Sequence, residues 1–138
     1  MTPEPEPLRI TILLLVSDQV VREVLTEILQ HAGYVVLPVS DLGSAVERLK
    51  QYTPDLLMTR TYVSNINGHD AARYLRSKLP GIPVLIVGGL LDDDRLQHRE
   101  SLEHFDVFPK AYSAAELLGK VNEVLAKRPA TRENVEKQ

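Results

Sequence analysis

At 138 residues, with 43% hydrophobic and 25% charged residues, the chain has the size and balance of a single globular domain able to bury its own core. A formal net charge of −3 leaves no basic footprint, which excludes nucleic-acid binding driven by bulk electrostatics. With no cysteine, a disulfide framework, a thiolate metal site and a cysteine nucleophile are excluded too, as fits a reducing compartment.

Residues 1–7 alternate proline with acid and contain no apolar stretch, so they read as a disordered tail and not as a signal peptide. The nearly continuous apolar run over 8–16 is far too short to cross a bilayer; it suits a strand buried on both faces. Asp18 follows as a candidate N-cap, and Val20, Val21, Val24, Leu25, Ile28 and Leu29 recur at helical spacing up to Gly33, a C-terminal cap. Residues 34–39 are largely β-branched and apolar and predict a second strand. Asp41 is placed to cap a helix with Ala45, Val46 and Leu49 inward; Pro54 ends that segment, and 55–59 predicts a third strand.

Ser64-Asn65-Ile66-Asn67-Gly68 is a turn cluster, and the helix after it places Ala71, Ala72, Leu75 and Leu79 on one face. Pro80-Gly81 stops that helix, 82–87 predicts a fourth strand, and Gly88-Gly89 is loop. Asp92-Asp93-Asp94 suits the positive end of a short helix over about 93–103. A fifth strand follows at 105–108, and Ser113 caps a last helix buried through Leu117, Leu118, Val121, Val124 and Leu125. Residues 127–138 form a charged tail or linker, which leaves 8–126 as the folded domain. Strand and helix thus alternate about five times, the pattern of a parallel sheet covered by helices on both faces. In such sheets ligands and chemistry gather at the carboxyl ends of the strands, here residues 17–18, 60–68, 88–92 and 109–112.

Over roughly residues 9–126 the chain resembles the receiver domain of two-component response regulators. The resemblance rests on the spacing of strands and helices, on Leu14-Leu15-Val16-Ser17-Asp18 after the first strand, and on Asn67-Gly68 where the family often has Asp-Gly. It rests also on Ile82-Pro83-Val84 in the fourth strand and on Lys110 after the fifth. What it implies is a doubly wound, flavodoxin-like (βα)5 fold with a five-stranded parallel sheet. The family places an acidic pair after the first strand, a phosphoacceptor aspartate after the third, a hydroxyl after the fourth and a lysine after the fifth. By this correspondence Ser17 and Asp18 hold the acidic pair's positions, Arg60 the acceptor's and Gly88 the hydroxyl's. Val107 stands where the family's switch aromatic sits, and Ala111 replaces the proline that follows the lysine.

The resemblance implies aspartyl phosphorylation assisted by a divalent cation, and the residues present oppose it. A guanidinium neither loses its proton nor attacks phosphorus, so Arg60 cannot replace the acceptor. Mg²⁺ needs several oxygen ligands; Asp18 is the one residual candidate, so cation binding is expected to be weak or absent. Asp55 begins a strand, far from its carboxyl end, and Ser17 has no base beside it, so neither is expected to accept phosphate instead. Arg60 is expected to take the cation's place in a partly buried ion pair with Asp18, whose breaking costs about 3–5 kcal/mol; the alternative is that it points to solvent. Arg60, Lys110 and the backbone of Gly88-Gly89 form a second candidate, an anion site.

Other features read more plainly. His31, His69, His98 and His104 have no metal spacing on one helix face and read as surface residues. No phosphate-binding glycine loop, Ser-His-Asp set or catalytic carboxylate pair occurs, so no enzyme is expected. The sequence therefore predicts a cytoplasmic pseudo-receiver that acts through protein contacts, with a small-anion sensor as the alternative. The resemblance implies as partner a histidine kinase, another regulator or a second copy, meeting the surface over about residues 91–126, without nucleic acid or membrane.

Overall fold

Two kinds of segment alternate because two periodicities alternate, continuous apolar runs and apolar residues at helical spacing. The computed structural model describes residues 10–60, 62–63, 66–87, 106–108 and 113–127, except the side chains of 62, 63 and 106–108. The order is β1 (Thr11–Leu15), α1 (Gln19–His31), β2 (Val35–Val39), α2 (Leu42–Leu49), β3 (Leu56–Arg60), β4 (Tyr62–Val63), β5 (Ile66–Asn67), α3 (Gly68–Lys78), β6 (Val84–Val87), β7 (Asp106–Phe108) and α4 (Ala114–Ala126). Five of the strands form one sheet in the order β2-β1-β3-β6-β7, and every pair in it is parallel. This is the five-stranded, doubly wound architecture expected from the sequence. The expected helix over 93–103, residues 1–7 and residues 128–138 lie outside the described residues.

Alternation along β1 builds two cores. Ile12, Leu14 and Val16 join Leu25 and Leu29 of α1 and Leu117, Val121, Val124 and Leu125 of α4. Leu13 and Leu15 join Ala45 of α2 and Ala71, Ala72 and Leu75 of α3 on the other face. Strand residues with a period of two thus face opposite layers, and a strand covered on both sides reads as an unbroken apolar run.

The helix starts follow local hydrogen bonding. Asp18 accepts from the Val21 amide at 3.1 Å, Asp41 from the Ser44 amide at 2.7 Å, and Asn67 from the His69 amide at 2.7 Å. Ser113 accepts from the Glu116 amide while Glu116 returns to the Ser113 amide, a reciprocal capping box. Gly33, at φ +100°, follows α1 and donates to Gln30. An L side chain is strained there, which is why glycine ends this helix.

One segment departs from expectation. The cluster at 64–68 was expected to be turn only, but β4 and β5 pair antiparallel, Tyr62 with Asn67 and Val63 with Ile66. Two-residue strands are too short to show alternation, so turn-forming composition hides them. Among the described residues no helix is long and apolar enough to cross a membrane.

β2 is an edge of the sheet. The Val35 amide donates to Ile10 at 2.9 Å and Val39 accepts from the Val16 amide at 3.0 Å, so residues 35, 37 and 39 turn their backbone polar groups toward β1. Val36 and Pro38 then turn theirs outward, and Pro38 has no N–H to offer a fourth party. A proline in the middle of an edge strand blocks pairing with another chain. Pro38→Thr restores the donor on an exposed edge and should shift the protein toward larger species than the wild type, as read by light scattering across a concentration series.

The Ser44 backbone amide, then its side chain, hold the Asp41 carboxyl below the ordinary aspartate range. A depressed folded value means that the stabilisation is complete above the unfolded value of about 4 and fades as pH falls through the folded one. Asp41→Asn keeps a capping acceptor without the titration, so its melting temperature should fall less steeply than the wild type's below pH of about 4.

Candidate functional site

The parallel sheet brings the ends of its strands to one edge, and the strand order reverses direction between β1 and β3. That switch point is where open α/β sheets leave a crevice. Arg60 ends β3 there. Its neighbour on β6 is Val87, fully buried, and the register that pairs Leu15 with Thr59 places Val16 beside Arg60 on the other side. Val16 is fully buried as well. Thr59 is buried too, and its hydroxyl donates to the Leu15 carbonyl at 3.0 Å, tying the two strands together just below the edge. Arg60 itself is half-buried.

Asp18 does not meet Arg60. Its carboxylate is exposed and turned to the start of α1, where it accepts from the Val21 amide, and no ion pair joins it to Arg60. The expected guanidinium–carboxylate pair is therefore absent from the structure. The physical reason is local: an aspartate just before a helix finds an amide acceptor role within its own turn, with no long side chain to immobilise. Among the described residues no three acidic or histidine side chains converge where they could hold a metal ion.

The carboxyl end of β1 is instead held by a residue that sequence reasoning passed over. Arg22, one turn into α1, donates through one guanidinium nitrogen to the carbonyls of Val16 at 2.9 Å and Ser17 at 3.3 Å. The available signal was an arginine four residues after a helix cap, close enough to fold back over the preceding loop. Ser17 is half-buried in that loop.

Asp55 lies at the opposite end of β3. Its amide donates to Thr11 at 2.7 Å and its carboxylate accepts from the Thr11 amide at 2.9 Å. Five steps along the strand separate it from Arg60, about 16 Å at a rise of roughly 3.3 Å per residue. The sequence placement of Asp55 away from the crevice agrees with this. Val107 lies on β7 opposite Ile86, and β7 ends at Phe108, which pairs with Val87. Gly88, Gly89 and Lys110 lie outside the described residues, as do His98 and His104.

One histidine was misplaced by the sequence reading. His31 is exposed as expected, but His69 is fully buried at the start of α3. It lies three and six residues before Ala72 and Leu75, on the face that packs against the sheet.

A doubly wound α/β domain with its crevice at a β1/β3 switch point is the class that this geometry defines. Residues 12–122 match the response regulator receiver domain, and the chain belongs to that family. It is 29% identical over 119 residues to the response regulator MprA of Mycobacterium ulcerans, covering 84% of this chain and 50% of the relative. It is 26% identical over 127 residues to the DNA-binding transcriptional regulator NtrC of Rhizobium meliloti, covering 90% of this chain and 26% of the relative. The chain spans half or less of the length of the curated relatives it matches. Among solved structures, a response regulator receiver protein from Sinorhizobium medicae superposes with a TM-score of 0.75 at 24% identity, covering 88% of this chain and 98% of the other. That likeness carries the fold.

With no carboxylate on Arg60 in the structure, the large penalty for breaking a buried pair does not apply. Arg60→Ala should lower unfolding free energy by no more than about 1 kcal/mol, the packing of its half-buried stem, as measured by denaturant titration.

Proposed function

We propose that this receiver domain signals without aspartyl phosphorylation. The family's setting is two-component signalling, in which receiver domains meet kinases and other regulators. The observation that carries the reading is a guanidinium at the end of β3, flanked by buried Val16 and Val87, where the family resemblance calls for a nucleophilic carboxylate. The acid of the β1–α1 loop, Asp18, is occupied as a helix cap. Neither group supplies the carboxylates that Mg²⁺ requires, so the domain binds that cation weakly or not at all and is no enzyme.

In this reading the protein is a cytoplasmic interaction module. Its partner is a histidine kinase, another regulator or a second copy of the chain, met through the surface over about residues 91–126. The resemblance supports that surface. Glycine at 88 and valine at 107 lack the hydroxyl and the ring that couple site to surface in the family, so the surface rests in one state until a partner shifts it. The net charge of −3 supports a protein partner over nucleic acid for this segment, although a relative is named as DNA-binding.

A second reading is favoured by one observation, that half-buried Arg60 makes no ion pair among the described residues. Arg60, Lys110 and the backbone of Gly88-Gly89 then form a small-anion sensor at the carboxyl edge.

The deciding experiment is intact mass after incubation with Mg²⁺ and acetyl phosphate. The expected result is no added phosphoryl group. A stoichiometric, hydroxylamine-labile adduct would identify an acyl phosphate on some carboxylate and defeat the phosphorylation-independent reading.

A further inference from the structure

Around the edge strand β2, outside the crevice, α1 and α2 border an open cleft of about 390 Å³ lined by Arg22, Ser40, Ser44, Glu47, Arg48 and Gln51 among others. Two arginines thus line one concave surface. Arg22 spends one nitrogen on the Val16 and Ser17 carbonyls. Arg48 is half-buried, its guanidinium 6.0 Å from the centre of the Tyr52 ring. Neither makes an ion pair among the described residues.

The acids nearby are engaged elsewhere. Glu47 pairs with Lys50 at 3.3 Å, and Asp41 accepts from the Ser44 amide at 2.7 Å and the Ser40 hydroxyl at 3.3 Å. Two arginines against the single carboxylate of Glu47, itself paired with Lys50, leave the lining net positive, which raises the local potential and draws an anion.

We propose that this cleft binds a phosphate monoester or inorganic phosphate. A guanidinium fork matches the oxygens of a phosphate group, and a dianion with three terminal oxygens can take one fork from α1 and another from α2. The Gln51 amide supplies a further donor on the same wall. Arg22 also grips the end of β1, so it links the cleft to the loop that carries Ser17 and Asp18. Arg60 is not among the residues that line the cleft, so the site does not depend on the fate of the phosphoacceptor position.

The test is thermal unfolding in inorganic phosphate against chloride at matched ionic strength and pH. Wild type should melt about 5 °C higher once phosphate reaches roughly ten times its dissociation constant. Arg60→Ala should keep that rise and Arg48→Ala should lose it. Gln51→Glu, at an exposed position, should also lose it without removing an arginine. No rise beyond chloride, or a rise that survives Arg48→Ala, would overturn the site. A rise lost in Arg60→Ala would place the anion in the carboxyl-edge pocket and overturn it equally. Mass spectrometry with acetyl phosphate stays an independent measurement of the phosphoacceptor question.

Discussion

Ile12, Leu14 and Val16 face the layer of α1 and α4, while Leu13 and Leu15 face the layer of α2 and α3, so both cores of the domain meet on β1. All five of these side chains are within 1% of complete burial. Full burial of an aliphatic side chain is worth about 1.5–3 kcal/mol, and β3 and β6, each also between two sheet neighbours, draw on both cores in the same way. A strand so placed cannot slip by one residue without exchanging the inhabitants of both cores. Its register with β2 and β3 is fixed for that reason, and the positions of every group at the carboxyl edge follow from it.

Fixing β1 also fixes what stands around Arg60. The guanidinium emerges between two buried valines, and the loop above β1 is tied down by Arg22 instead of by a shared cation. In the proposed reading the chemistry of the crevice has changed sign. A carboxylate-lined pocket gathers metal and accepts a phosphoryl group; an arginine there repels the first and cannot accept the second. Arg22 meanwhile joins that loop to the cleft at the sheet's edge, so the two regions share one hydrogen-bonded residue.

Most of the fold was legible because local and global signals agree. Asp18, Asp41 and Ser113 sit where short polar side chains precede helical spacing, and each caps the helix predicted for it. Gly33 ends α1 through a positive φ that glycine alone adopts freely. The apolar runs became strands, with ends shifted by one to three residues. The failures were of two physical kinds. His69 was judged by its polarity, though its spacing from Ala72 and Leu75 put it on the buried face. The pairing of Asp18 with Arg60 was judged by opposite charge, though a capping amide lies closer along the chain than any partner across the sheet. Arg22 escaped notice because backbone carbonyls, its acceptors, leave no mark in a sequence.

The burial of Val16 beside Arg60 makes the altered edge hard to undo. Rebuilding a cation site there takes several acids at once. A single carboxylate put in place of Arg60 would stand without the cation or partner acids that usually share its charge, while one introduced at Val16 would enter the apolar core unpaired. No single substitution at this edge therefore builds a cation site, and one at Val16 costs folding stability as well.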